Sequence, residues 1–195
     1  MKGFDLPEQD RKANLMQAVQ TILSILEPEP NREGLRETPE RVAKAWLETW
    51  ASGYGVDPTS VLKQFEDGGE QYDEMILVKD IPFYSHCEHH LAPFFGTAHI
   101  AYIPNGRIVG LSKLPRLLDI FARRLQVQER LTAQVADAIM EHLEARGAAV
   151  QISARHLCME SRGIKKQGSA TVTNVLRGVF FDDPKARAEF LAGVA

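Results

Sequence analysis

Apolar residues in the first third of the chain recur every three or four positions. Leu15, Val19, Ile22 and Leu26 form one stripe, and "EPEP" ends the run, so the spacing predicts a helix there. A second helix is predicted from "TPERVAKAW", with Thr38 as N-cap, Pro39 in the first turn, and Val42, Trp46 and Trp50 as its buried stripe. "ASGYGVDPTS" is rich in turn formers, and the stretch from there to Tyr72 reads as a loop with a short helical piece. The period then shortens. "EMILVKDIPFYS" and "GTAHIAYIP" read as strands, and "NGR" follows as a turn.

Helical spacing returns from Ser112 through Leu117, Leu118, Phe121 and Leu125. It returns again from about Glu129, with Leu131, Val135, Ile139 and Leu143 on one face and Gly147 as the stop. "AAVQISARHLC" and "SATVTNVLRGVFF" supply two more strands, and Asp183 and Pro184 open a short C-terminal helix. The order is N-terminal helices, then ββααββ, then a helix. It predicts an α+β fold with a mostly antiparallel sheet and two helices on one face. Residues 1–70 form the helical region and 71–195 the sheet-bearing region, expected to make one continuous structural unit.

The chain has 195 residues, 44% hydrophobic and 25% charged, enough to bury a real core. A formal net charge of −3 offers no basic footprint for nucleic acid. No apolar run approaches a membrane span, and "MKGFDLPEQD" lacks the apolar core of a signal peptide, so a soluble, cytoplasmic protein is expected. In a reducing compartment its two cysteines serve metal or redox chemistry more readily than a disulfide.

One short stretch changes the picture. His86 to His90 place three histidines, a cysteine and a glutamate in five consecutive positions, in a chain with six His and two Cys. The second cysteine, Cys158, lies in "RHLCMESRG" beside His156. On a strand, residues two apart face the same side, so His156 and Cys158 are expected to project together. The two clusters read as halves of one site. Zinc takes about four thiolate or imidazole ligands, with one position left open where it is catalytic. Cys87, Cys158 and one histidine make three, and the spacing does not say which of His89, His90 and His156 that is. The two left over are available for proton transfer. The plainer reading is a structural zinc, or two buried thiols with surface histidines. His86, His99 and His142 read as ordinary histidines.

A second group points to anions. No glycine-rich phosphate loop occurs. "GLSKLPRLL" instead puts Ser112, Lys113 and Arg116 at a helix start, where an anion would gain backbone N–H groups, a hydroxyl and two cations. Arg162 follows Cys158 by four residues, and Arg41 and Lys44 share a helix face. "QVQERL" places Gln128 and Glu129 at another helix start. A carboxylate there suits the dipole, and it could also accept the paired N–H groups of guanine.

Together "CEHHLAPFFG", "AYIP", "GLSKLPR", "RRLQVQERLT", "HLCMESRG" and "TVTNVLRG", reaching back to "NREGLRETPERVAKAW", resemble the GTP cyclohydrolase I family. The resemblance implies a tunnelling fold (T-fold) and a toroidal homodecamer with active sites shared between subunits. It implies Zn²⁺ on Cys87, His90 and Cys158, with His89 and His156 as proton carriers. It implies guanine recognition by Glu129 with Gln128 close by. Ser112, Lys113, Arg116 and Arg162, with Lys44 and Arg41 from the helical region, are then expected to hold the triphosphate. The implied reaction takes GTP and water to formate and 7,8-dihydroneopterin triphosphate, the first step of pterin biosynthesis. The alternatives are a non-catalytic, zinc-containing nucleotide-binding oligomer, which would not need the spare histidines, and a related T-fold enzyme on another purine or pterin, which would not need the anion group.

Overall fold

The computed structural model describes residues 6–65 and 71–195. The chain divides into two compact units, Met1–Ser52 and Gly53–Ala195.

In the first unit, α1 spans Glu8–Leu26 and α2 spans Thr38–Ala45, followed by a π-helical turn at Trp46–Trp50. An ion pair between Lys12 and Glu40 ties the helices together. It holds the Glu40 carboxyl below its ordinary range, through the Lys12 hydrogen bond first. The predicted apolar stripes are only partly used. No residue of α1 is buried, and Ile22, Ile25 and Leu26 are exposed. In α2 the buried residues are Pro39 and Ala43, not the tryptophans. The wider π turn takes Trp46 and Trp50 off the α-helical stripe and sets their rings edge to face, 5.2 Å apart. Thr38 is the first helical residue, one past the N-cap position.

The second unit is built on a five-stranded sheet. After the short β1 (Gln64–Phe65) come β2 (Ile76–Cys87), β3 (Pro93–Ile103), β4 (Ile108–Val109), α3 (Lys113–Ala122), β5 (Leu125–Gln126) and α4 (Gln128–Leu143). Then follow β6 (Gly147–His156), the turn α5 (Leu157–Glu160), β7 (Ala170–Gly178), α6 (Val179–Asp182) and α7 (Pro184–Val194). The sheet order is β5-β2-β3-β6-β7, with β1 and β4 as a separate pair. All neighbours in it are antiparallel except β2 and β5. Helices α3 and α4 pack on it through Leu114, Leu117, Leu118, Leu131, Val135 and Ile139, all fully buried with Ile100, Val150 and Ile152 of the strands. Each such side chain contributes about 1.5–3 kcal/mol on burial. A smaller cluster of Ala101, Ile103, Ala149, Phe180 and Phe190 packs α6 and α7 against the sheet.

Three element ends differ from the hydrophobic pattern, and the first two lie at the site. Leu125 is a strand residue, not the end of α3. The helix stops where Arg123 leaves helical angles, and Arg124 Nε donates to the carbonyls of Ile120 and Gly53. This lets β5 pair with the end of β2, His86 opposite Leu125 and Cys87 opposite Gln126. Likewise β6 ends at His156, so Cys158 sits on a helical turn rather than on the strand. Helix α4 ends at Leu143, with Glu144 after it in the left-handed conformation at φ 51°, rather than at Gly147, which begins β6.

Candidate active site

Cys87 ends β2, held by its own N–H on the Ala92 carbonyl and by the β5 pairing. The chain then folds tightly back. The N–H groups of His90 and Leu91 both donate to the Cys87 carbonyl, and Leu91 closes the turn at φ 53°. This turn lifts His89 and His90 onto an exposed rim while the Cys87 thiol stays buried. Across the sheet, His156 lies opposite Phe94 in the β3–β6 register. The α5 turn after it is closed by the Ser161 N–H on the Leu157 carbonyl, and it brings Cys158 inward.

The ligand atoms of Cys87, His90 and Cys158 all lie within 4.8 Å of one another. Cys87 Sγ is 3.7 Å from His90 Nδ1 and 3.8 Å from His89 Nδ1. Donors about 2.0–2.3 Å from a tetrahedral zinc stand roughly 3.3–3.8 Å apart; Cys87 Sγ and His90 Nδ1 meet that spacing, and the three residues together could hold a metal ion. Burial, and then the nearby Cys87, push the Cys158 thiol up, while the Arg162 cation pulls the other way. Arg162 Nη1 lies 2.6 Å from His90 Nε2, which places one of the expected anion-binding cations beside the cluster.

His156 is the more enclosed of the two spare histidines. Its ring stacks on Phe94 with centroids 4.7 Å apart and planes 1° from parallel. Nε2 lies 2.8 Å from Gln128 Oε1. Burial lowers its pKa, and Glu129 opposes that. The net effect favours the neutral imidazole, the form that can accept a proton. Glu129 is exposed in the first turn of α4, next to Gln128, which is buried.

Two ion pairs support the site, and the sequence pattern did not single them out. Glu88 takes a two-pronged contact from Arg130 at 2.6 and 2.8 Å, which ties the histidine turn to the start of α4. Arg155 grips the buried Glu160 in the same way, at 2.9 and 2.6 Å, on either side of Cys158. Acidic and basic residues this common become visible as partners only in three dimensions.

Ser112, Lys113 and Arg116 stand at the N-terminus of α3, as the helix-start reading predicts. Ser112 occupies the N-cap position, yet its hydroxyl does not cap the helix. Ser112 and Arg116 are exposed and Lys113 is half-buried. Lys44 and Arg41 belong to the first unit, where Lys44 lies 3.9 Å from Glu48 and Arg41 pairs with Glu37.

A family model described as GTP cyclohydrolase I matches residues 15–195. The chain is 60% identical over 170 residues to GTP cyclohydrolase 1 of Janthinobacterium sp. (strain Marseille), covering 87% of this chain and 85% of that protein. It is 50% identical over 194 residues to GTP cyclohydrolase 1 of Deinococcus radiodurans, covering 100% of this chain and 88% of that one. Among solved structures, the archaeosine synthase QueF-Like in the apo form aligns over 53% of this chain and 93% of its own, at 14% identity and a TM-score of 0.43.

Proposed function

The chain belongs to the GTP cyclohydrolase I family, and from that membership we propose that it hydrolyses GTP to formate and 7,8-dihydroneopterin triphosphate. The convergence of Cys87, His90 and Cys158, with His156 held by Gln128 two residues before Cys158, is the observation that carries this reading. Zinc on those three residues would supply the Lewis acidity that activates water near neutral pH.

The chain's own side chains account for the rest. Glu129 accepts N–H groups from the guanine edge and so orients the ring. Arg162, Ser112, Lys113 and Arg116 neutralise the triphosphate. Opening the imidazole ring breaks a C8–N bond, and the departing nitrogen must gain a proton. His156 and His89 move protons in that step and in the hydrolysis of the formamide that follows. Rearrangement of the ribose to a ketone proceeds by proton transfers, and ring closure condenses the freed amine with that ketone, forming the C–N bond and releasing one water.

We place the active form in a homo-oligomer, a decamer with sites shared between subunits. The sheet ends in the open strand β7, where Val172 is exposed, and α1 carries Ile22, Ile25 and Leu26 in water. Both are surfaces that a second copy would cover. Among the described residues, no helix is long and apolar enough to cross a membrane, and the unpaired thiols of Cys87 and Cys158 support a cytoplasmic setting.

Comparing GTP with guanosine tests this. The expected outcome is turnover of GTP and a loss of about 10²-fold or more in kcat/KM for guanosine, with Glu129→Gln raising KM for GTP. Equal turnover of guanosine would remove the triphosphate from the account. No turnover of either by metal-loaded protein would leave a nucleotide-binding oligomer.

A further inference from the structure

Gln128 is 2% exposed, and its side chain is fully engaged by the protein. Nε2 lies 3.0 Å from the Ile152 carbonyl, 2.9 Å from the Thr171 carbonyl and 3.1 Å from Thr173 Oγ1. Backbone carbonyls only accept, so the atom facing them is the NH₂ group; turning the amide over would press Oε1 against two carbonyl oxygens. Strands β6 and β7 therefore determine which way the amide points. Oε1 is left facing His156 Nε2 at 2.8 Å. Oε1 has no proton to give, so Nε2 must carry one, and a neutral imidazole then keeps its lone pair on Nδ1.

The hydroxyls around the amide agree on the same direction. Thr132 Oγ1 donates its one proton to the Gln128 carbonyl at 2.7 Å. Its 2.7 Å contact with Thr173 Oγ1 must then be donated by Thr173, which frees Thr173 to accept from Gln128 Nε2. Each donor meets an acceptor, and the order of the protons runs one way through the network. The stack on Phe94 sets the plane of the imidazole.

We propose that Gln128 is a positioning residue that holds His156 in the Nε2–H tautomer and leaves Nδ1 as the open nitrogen of the ring. The tautomer stands on the geometry alone; only its use in turnover rests on the cyclohydrolase reading. Gln128 thus acts through His156 with its side chain, while guanine contact falls to its neighbour Glu129.

The test is the ¹⁵N solid-state spectrum of metal-loaded protein labelled at histidine, at pH 8, with His156 assigned by the signals missing in His156→Asn. A protonated Nε2 and a bare Nδ1 are expected. An Nδ1–H tautomer, a mixture of the two, or a doubly protonated ring would overturn the proposal, and none of these outcomes depends on activity. Kinetics give the second readout. Gln128→Leu is expected to lower kcat about 10²-fold or more, with KM for GTP and bound metal within about twofold of the parent. A raised KM with kcat intact would put the amide on the substrate and contradict the proposal. If Gln128→Leu does not fold, the native spectrum still decides. The expected tautomer in a protein that does not turn over GTP would sink the cyclohydrolase reading and leave the positioning role intact.

Discussion

Cys87, His90 and Cys158 reach one point by three different devices: a strand end, a tight turn through Leu91, and a single helical turn. Two thiols with one imidazole make a soft donor set, and a serine hydroxyl is a poor replacement for a thiolate. Cys158→Ser is expected to cut bound zinc from about one per chain to a small fraction, with the circular dichroism spectrum unchanged. Full metal retention by that variant, measured by elemental analysis, would remove Cys158 from the ligand set. At this scale the sequence was informative where residue types are rare. Two cysteines, each with histidines nearby, mark a metal site on their own. Gln128 carries no such mark, because its role depends on the carbonyls of Ile152 and Thr171, one of them 43 residues away. Glu88 and Glu160 were equally hidden, since their partners Arg130 and Arg155 are two of many cations.

At the scale of elements, the register between β3 and β6 places Phe94 against His156, and Gly96 sits beside that pair. A Cβ at Gly96 would lie 1.9 Å from the Ser153 carbonyl oxygen and 2.7 Å from the Ala154 Cα. Both are backbone atoms and cannot step aside, so Gly96→Ala must push the strands apart. The expected loss is about 3 kcal/mol or more, read as a lower denaturation midpoint at unchanged slope. A loss under 1 kcal/mol would show that the two strands can separate without cost. The alternation of apolar residues made the strands and the pair α3–α4 readable, because period-2 and period-3.6 patterns differ over ten or more residues. Their ends were not readable. Leu125 continues the helical stripe of α3, yet pairing with β2 draws it into β5. Cys158 continues the alternation of β6, but the pairing with β3 stops at His156.

For the whole molecule, the second unit holds the Cys87–His90–Cys158 cluster, His156, Glu129 and the α3 cations, whereas Lys44 and Arg41 lie in the first. The motifs from "CEHH" to "HLCMESRG" are spread over more than seventy residues of chain, and only the β2–β3–β6 sheet brings their ends together. Among the described residues no strand pairs beyond β7, and α1 exposes Ile22, Ile25 and Leu26; the proposed oligomer would cover both. The central claim is that the Cys87–His90–Cys158 cluster holds the metal that drives opening of the GTP ring. The most direct measurement is formate released from GTP by protein as purified, after chelation, and after graded return of Zn²⁺. The account predicts formate and a pterin, fluorescent once oxidised, in equal amounts, both lost on chelation and restored in proportion up to one zinc per chain. Tight binding of one zinc per chain with no formate at any loading would contradict it.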